Sequence, residues 1–403
     1  MKNKRTTRRR FVETIGAAVA APYLVPASAL GASVRPPASQ RIVMGTIGTG
    51  GQGTGDMGGF LGFPQVQMVA VCDPVPDHRA RAKKIVDQRY GNSDCKEYSD
   101  FREVLRRDDI DAVLIGTPDH WHALITIAAC KSGKDVYCEK PETLTIREGR
   151  AMVEAVRRYG RVFSGGSQRV LGDYGDWPRL LWSGAIGQIK EIYVACGGPS
   201  GDCYLPAMPE QPGLNWDMWL GPAPWRPFHE TLIHGGFRAY RDYSGGGMTD
   251  LGAHRFGAAV FAAGLHETGP VEVIPPDGKD VKMLTYRYAN GVQMYHGGTD
   301  NITYKGTEGE MPGRYHQPSR WANIPGYKGR GGIFGDFLHC VKTRQRPFRD
   351  IEIAHRAVSV CHMGNIAYWL KRPLKWDPAK ELFVGDDEAN RWLDRPKREP
   401  WTL

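Results

Sequence analysis

Between about Val43 and Ser167, short runs of mostly apolar residues alternate with longer stretches of helical length. Short apolar runs fit strands that are buried in a parallel sheet. Their regular alternation with helices is typical of a parallel sheet covered by helices on both faces. The predicted strands are Arg41–Ile47, Val66–Cys72, Ala112–Ile115, Asp135–Cys138 and Val162–Gly165, and the predicted helices are His78–Tyr90, Phe101–Arg106, His120–Ser132 and Ile146–Tyr159.

The pattern changes beyond about Gly172, where strong turn signals separate several short strands and a loop rich in Trp, Pro and Gly covers residues 197–243. Placing the boundary between Gly165 and Gly172 gives a first domain of residues 38–167 and a second of residues 168–403. Both are long enough for a core of their own. In the second domain we predict the helices Trp177–Ser183, Gly252–Ala262 and Glu352–Leu370, and the strands Ile189–Ala195, Val271–Ile274, Lys282–Tyr288, Gly291–Gly297 and Ile302–Tyr304.

The first predicted strand leads directly into a glycine turn with the G-x-G-x-x-G spacing. In that motif the first glycine makes the tight turn, the second lets the backbone approach a pyrophosphate, and the third lets the helix pack closely on the strand. The free N–H groups at the start of the helix then bind phosphate charge. We predict that the turn binds a dinucleotide through Gly48, Gly50, Gly51, Gln52 and Gly53.

An acidic residue, Asp73, ends the second predicted strand, near the distance from the glycine turn that a ribose-binding carboxylate requires. Its charge repels a 2′-phosphate and favours NAD over NADP, although Arg79 and Arg81 nearby weaken that preference. NAD is therefore the predicted cofactor.

Two further strands of the first domain end in polar segments, at the edge where open α/β sheets bind their ligands. After one comes Glu139-Lys140-Pro141, whose lysine can hydrogen-bond a substrate hydroxyl; a solvated surface lysine is the alternative. After the other comes Thr117-Pro118-Asp119-His120-Trp121-His122. There Asp119 is a candidate helix cap, and His122 is a candidate contact to ribose or nicotinamide, with a packing role as the alternative.

A second glycine-rich segment, Gly245 to His254, carries an acid and an imidazole four residues apart. At that spacing on a helix, Asp250 and His254 can face the same side. A carboxylate beside an imidazole fixes its tautomer and raises its basicity, which suits removal of a hydroxyl proton. A capping aspartate and a structural histidine are the alternative. No third ligand stands at a defined spacing, so no metal is expected.

The long loop of residues 197–243 mixes aromatic rings with polar groups, a combination that sugars need. Most such aromatic residues pack the loop itself, so only Arg238 and Tyr243 are predicted to contact substrate.

Residues 1–30 have the pattern of a removable leader. Thr7-Arg8-Arg9-Arg10-Phe11-Val12 matches the twin-arginine export signal, an apolar run follows from Ile15 to Leu24, and Ala27-Ser28-Ala29 is a small-residue cleavage site. The apolar run is too short to be a good membrane span. We expect cleavage after Ala29, export to the periplasm, and a cofactor loaded before export and held tightly.

The formal charge of +9 does not point to nucleic acid, because the leader's six basic and one acidic residues account for more than half of it. No basic run recurs later. None of the eight cysteines forms a C-x-x-C pair, and most fit apolar patterns, so buried thiols are favoured over disulfides.

Together these motifs resemble the Gfo/Idh/MocA family of NAD(P)-dependent oxidoreductases. The resemblance implies a Rossmann domain followed by an α/β domain with a large open, mostly antiparallel sheet, which often mediates homo-oligomers (dimers or tetramers). By motif position it implies Lys140, Asp250 and His254 as the catalytic set, with His254 as base, Asp250 as its partner and Lys140 as hydroxyl and cofactor contact. The predicted cofactor contacts also include Asp73, Thr117, Pro118, His122, Glu139 and Gln168, and the predicted substrate contacts are Arg169, Arg238 and Tyr243.

The leader, Trp121 and the Trp-Leu-Gly-Pro segment (Trp219–Pro222) resemble the exported branch of that family. The resemblance implies oxidation of a secondary alcohol of a sugar or glycoside. The alternative is a redox-neutral glycoside hydrolase or lyase that oxidises its sugar transiently. A non-catalytic sugar-binding protein is a third possibility, which intact Lys140, Asp250 and His254 argue against.

Overall fold

The computed structural model describes residues 36–170, 176–328 and 330–403, so the predicted leader and its cleavage site lie outside the described residues. Residues 36–41 belong to a unit separate from Ile42–Leu403. Within them, Ala38–Gln40 form a single 3₁₀ turn. All further elements belong to the second unit.

A parallel sheet with the order β3-β2-β1-β4-β5-β6 forms the first half of this unit. This is the strand order of a dinucleotide-binding Rossmann fold. Its strands are β1 (Ile42–Ile47), β2 (Val66–Cys72), β3 (Lys96–Tyr98), β4 (Ala112–Ile115), β5 (Asp135–Cys138) and β6 (Phe163–Gly165), and its helices are α1 (Gly51–Leu61), α2 (Pro76–Tyr90), α3 (Phe101–Leu105), α4 (Asp119–Lys131) and α5 (Ile146–Arg158).

The strand order reverses beside β1, which pairs with β2 on one side and β4 on the other. The turns that follow β1 and β4 therefore diverge, and they leave a crevice at the carboxyl edge of the sheet. Open α/β sheets bind ligands at such a crevice.

The second half contains an eight-stranded sheet with the order β12-β11-β7-β10-β9-β8-β13-β14. All of its neighbouring strands pair antiparallel except β7 and β10, which are parallel. Its strands are β7 (Ile189–Val194), β8 (Glu272–Ile274), β9 (Leu284–Arg287), β10 (Gln293–His296), β11 (Ile302–Gly306), β12 (Glu310–Met311), β13 (Leu374–Asp377) and β14 (Leu382–Phe383).

The helices of the second half are α6 (Asp176–Trp182), α7 (Trp216–Leu220), α8 (Glu230–Ile233), α9 (Gly247–Asp250), α10 (Gly252–Ala262), α11 (Gly332–Thr343), α12 (Ile351–Leu370) and α13 (Asp387–Arg391). The long, mostly buried α12 packs against both α10 and α5. Side chains reinforce this contact, because Arg150 on α5 forms a bidentate bond with Glu352 on α12. Helix α12 thereby fixes the segment that carries His254 against the Rossmann half.

The structure confirms the predicted fold class, and the predicted strands agree with the observed ones to within a residue or two. One expectation is wrong: the loop of residues 197–243 contains α7, α8 and a 3₁₀ turn at Gly236–Ala239. Three elements that follow α12, namely β13, β14 and α13, were not predicted. Strand β3 has no apolar run, which is why the pattern did not reveal it. Helix α11 does carry apolar residues at helical spacing (Ile333, Phe337, Leu338 and Val341) but was not predicted.

Across the described ranges, no helix is both long and apolar enough to cross a membrane. All eight cysteines are free thiols.

Candidate active site

A cavity of about 550 Å³ opens at the carboxyl edge of the Rossmann sheet, within the size range of small-molecule sites. One wall is formed by the turns after β1, β2, β4 and β5, and the opposite wall by residues 218–238 of the second half. The predicted site residues that line the cavity are Gly48, Gly50, Gly51, Gln52, Asp73, Thr117, Pro118, Glu139, Lys140 and Arg238.

The three motif glycines have the predicted geometric roles. Gly48 has φ +84°, and a Cβ there would lie 2.4 Å from the backbone nitrogen of Thr117. A Cβ on Gly50 would meet only open space, whereas one on Gly53 would lie 2.0 Å from the Gly48 carbonyl oxygen. The turn therefore leaves room for a ligand above the N-terminus of α1, and Gly53 supports it from below without lining the cavity.

Asp73 holds this turn in place from the end of β2. Its Oδ2 accepts a 2.7 Å hydrogen bond from the Thr49 backbone nitrogen, and its Oδ1 accepts one from Val75 at 2.9 Å. Arg81, which also lines the cavity, donates to the Thr49 carbonyl oxygen. Oδ2 also accepts a 3.4 Å bond from the Thr49 hydroxyl, so Oδ1 is the oxygen with more capacity left to accept a bond from a ribose hydroxyl.

An ion-pair network joins the two halves at the cavity. Lys140 Nζ donates to Asp250 Oδ1 at 2.7 Å, and Arg238 Nε donates to the same oxygen at 3.1 Å. Burial opposes ionisation of Asp250, but the lysine and arginine charges outweigh it and lower the pKa of this carboxyl. Asp250 is therefore an anion that orients two cavity-lining cations.

The imidazole of His254 is held by a residue that the sequence analysis did not identify. Its Nδ1 lies 2.9 Å from the Oγ of Ser167, which is fully buried just after β6. No hydrogen bond joins Asp250 to His254 among the described residues, so Asp250 acts on the ring through its charge rather than by fixing its tautomer. The predicted partner is thus corrected to Ser167. The available signal was its position beyond the carboxyl end of a sheet strand.

Burial and positive charge keep His254 neutral. Desolvation, followed by the charges of Lys140 and Arg169, lowers its pKa to about 3, while the charge of Asp250 raises it. Arg169, a predicted substrate contact, is exposed and does not line the cavity.

Behind Glu139 lies a second acidic group, Asp56, which is contributed by α1. Gln168 Nε2 bridges the two, with contacts of 2.9 Å to Asp56 Oδ1 and 2.7 Å to Glu139 Oε1. Desolvation raises the pKa of Asp56 to about 6 and that of Glu139 well above its usual value. Two buried carboxyl groups in contact avoid double ionisation by sharing a proton.

Three further predicted ligand contacts do not line the cavity, and the structure gives their side chains other partners. Both ring nitrogens of His122 are engaged by backbone carbonyl oxygens, of Pro141 at 2.7 Å and Thr117 at 2.8 Å, and the residue is buried. Gln168 does not line the cavity, because its amide is turned toward the two carboxyl groups. Tyr243 is fully buried and packs its ring against Trp219 and His120.

The aromatic loop is fastened to the start of α4. The Trp219 carbonyl oxygen lies 3.0 Å from both Trp121 Nε1 and His120 Nε2. Gly221 has φ +50°, and a Cβ there would lie 2.1 Å from the Trp121 ring. These contacts hold residues 218–238 over the cavity.

The fold and the glycine turn define a nucleotide-binding oxidoreductase. The model of an oxidoreductase family, described as its NAD-binding Rossmann fold, matches residues 42–167. The model of the same family's C-terminal alpha/beta domain matches residues 198–403. The chain belongs to the Gfo/Idh/MocA family of oxidoreductases.

Curated relatives match part of the chain. The chain is 33% identical over 168 residues to a glycosyl hydrolase family 109 protein of Solibacter usitatus (strain Ellin6076). This match covers 38% of this chain and 38% of the relative. An alpha-N-acetylgalactosaminidase of Shewanella oneidensis is 28% identical over 173 residues, and the match covers 38% of this chain and 37% of that relative. The chain thus spans less than half the length of these relatives.

Solved structures share the fold over most of the chain. Aldose-aldose oxidoreductase from Caulobacter crescentus, complexed with glycerol, matches with a TM-score of 0.59 at 18% identity, covering 83% of this chain and 99% of that one. Levoglucosan dehydrogenase in complex with NADH matches with a TM-score of 0.59 at 19% identity, with the same coverage. At these identities the likeness concerns the fold alone.

Proposed function

We propose that this protein oxidises a secondary alcohol of a sugar or glycoside with a tightly bound NAD. The observation that carries the proposal is the Lys140–Asp250 ion pair, 2.7 Å long, which joins the wall of the dinucleotide cavity to the segment that bears His254. The named activities of the structural relatives support a carbohydrate substrate. Asp73 supports NAD over NADP.

The cavity fits a dinucleotide. The turn of Gly48 to Gly53 leaves open space where a phosphate approaches the N-terminus of α1, and the positive end of that helix attracts phosphate charge. Asp73 and Glu139 both line the cavity, which supports them as the groups that would hold the two ribose groups. A bound nicotinamide would supply the acceptor for the hydride of the carbinol carbon.

The protein's own groups then handle the hydroxyl proton. The Lys140 ammonium has three donors and Asp250 takes one, which leaves donors for a substrate oxygen. With its proton on Nδ1 and donated to Ser167, His254 has a free lone pair at Nε2. As the hydroxyl loses its proton, the growing negative charge raises the proton affinity of the neutral ring.

The predicted export by the twin-arginine route supports tight binding, because that route carries folded proteins with their cofactors. Because a cofactor held in this way does not leave the protein, its redox state must be restored during turnover by a second substrate or by the same sugar. Assembly into a homo-oligomer through the open sheet remains part of the proposal.

A second candidate is redox-neutral cleavage of a glycoside, in which transient oxidation acidifies a neighbouring C–H and allows the aglycone to leave. The glycosyl hydrolase family 109 relatives favour it. Release of the aglycone with entry of solvent deuterium into the ring selects this reaction over net oxidation.

Spectroscopy of the purified protein with added glycosides tests the proposal through the absorbance of reduced nicotinamide. We expect His254→Ala to slow this signal by roughly 10²–10⁴-fold, the usual contribution of a positioned base. The matched control is His316→Ala, which removes an exposed histidine of the second half. An unchanged rate in His254→Ala contradicts the assignment, and free exchange of the bound cofactor contradicts tight binding.

A further inference from the structure

Asp119 is an acid in the cavity to which the oxidation assigns no role. The sequence pattern suggested that it caps α4, but Pro118 occupies the cap position and no side-chain capping bond forms. Asp119 lines the cavity instead, and only 3% of the residue is exposed. Its side chain is therefore available to a ligand and shielded from bulk water.

The carboxyl group is not satisfied by the protein. Its Oδ2 is buried and makes no hydrogen bond of regular geometry among the described residues, and neither does the Ser244 Oγ, although this hydroxyl is close enough to stabilise the carboxylate in part. A buried carboxylate without a partner is costly, so the neutral acid is the favoured form. Burial, helped by the charge of Asp250, raises the pKa of Asp119 to about 7 against the lowering effects of Ser244, Arg238 and Lys140.

Simple oxidation of an alcohol needs one proton acceptor, and His254 supplies it. The departure of an oxygen leaving group requires a second group, one that holds a proton and lines the cavity, as Asp119 does. We propose that Asp119 donates its proton to the aglycone oxygen of a glycoside substrate. This inference rests on the proposed function and narrows its substrate class to sugars that carry a leaving group.

The electrons of the C–H bond next to the new carbonyl form a double bond, and that proton passes to His254, which has already released the hydroxyl proton to solvent. The C–O bond to the aglycone breaks with its electrons on oxygen, and this oxygen takes the proton of Asp119. The resulting carboxylate is stabilised by the charges of Lys140 and Arg238 and by the positive end of α4.

The test compares wild type, Asp119→Asn and Asp119→Glu on glycosides that share one sugar and differ in the acidity of the aglycone. We expect Asp119→Asn to slow release of the least acidic aglycone by about 10²–10⁴-fold and of the most acidic far less. Reduction of the bound cofactor should slow far less than cleavage, and Asp119→Glu should restore part of the rate. Asp94→Asn, at an exposed aspartate, is the matched control.

A second readout is independent of turnover. The infrared spectrum of the wild type near neutral pH should contain the carbonyl stretch of a protonated carboxylic acid that is missing from Asp119→Asn. Absence of this band from the wild type overturns the inference. So does an Asp119→Asn variant that releases all aglycones with the same fold-loss in rate. A wild type that reduces its cofactor with glycosides but never cleaves them also overturns it and leaves the oxidoreductase standing. Failure of every carbohydrate to reduce the cofactor defeats the proposed function itself.

Discussion

At the scale of single residues, the arrangement around His254 separates two tasks that the sequence analysis gave to Asp250. Ser167 orients the ring through a hydrogen bond, whereas Asp250 supplies charge and holds Lys140 and Arg238. Neutral hydroxyls are weaker orienting partners than carboxylates, but they leave the basicity of the ring to the surrounding charges.

This division predicts the effect of removing the hydroxyl alone. Ser167→Ala should lower the turnover number by on the order of tenfold, because the ring loses its fixed tautomer and orientation. Nitrogen NMR of His254 should show a mixture of tautomers. Ser164→Ala is a stringent control, since Ser164 is also fully buried but its hydroxyl has no partner. Equal behaviour of the two variants speaks against an orienting role.

The sequence alone identified residue types better than contacts. Lys140 and Asp250 could be predicted because their motifs place them at the sheet edge and in the second glycine-rich segment. Ser167 and Asp56 could not, because serine and aspartate are common and their roles depend on elements that meet only in the folded chain. The substrate contact predicted for Tyr243 is not supported by the structure. The sequence of an aromatic loop does not show which neighbours will bury each ring.

At the scale of elements, α1 begins the cofactor site although its sequence is a poor helix former. Two contacts hold it in place: Phe60 packs edge-on against Tyr137, and a Cβ on Gly59 would lie 2.6 Å from the Phe334 ring. Packing, rather than propensity, stabilises this helix. The sequence pattern does not identify these partners, which come from β5 and α11.

The glycines of α1 are therefore expected to respond differently to substitution. Gly53→Ala should weaken NAD binding at least tenfold and lower stability, because its Cβ would lie 2.0 Å from the Gly48 carbonyl oxygen. Gly58→Ala, an exposed position with open space around it, should leave binding intact and raise stability by about 0.5–1 kcal/mol. Calorimetric titration with NAD and thermal unfolding measure both effects. Similar NAD affinities for the two variants would argue that the turn does not contact the cofactor.

At the scale of the whole molecule, the two halves share one site. The Rossmann half contributes the glycine turn and Lys140, and the second half contributes Asp250, His254 and the wall of residues 218–238. Alternating strands and helices made the first half predictable almost strand by strand. The second half was less predictable from the sequence, because short strands with long connections give only a weak periodic signal. Strands β13 and β14 are examples.

Buried acids at this junction should affect global stability. Because the pKa of Asp56 is about 6 in the folded protein and has its ordinary value of 3.8 in the unfolded chain, only the unfolded chain releases this proton between those values. Stability should therefore fall as the pH rises through that window, on the order of 2–3 kcal/mol. Asp56→Asn should flatten this dependence in thermal unfolding between pH 4 and about 6, whereas Asp280→Asn, at an exposed site, should not. Parallel curves for wild type and Asp56→Asn would contradict the raised pKa.

The attachment of the aromatic loop to Trp121 has a consequence for how new specificities arise. Because Gly221 and the Trp219 carbonyl oxygen fasten residues 218–238 at one point on α4, the remainder of that wall can change length and composition while the redox machinery stays in register. Grafting this stretch from one member of the family onto another, with the tryptophan anchor retained, is a direct route to redirecting the protein toward a different substrate.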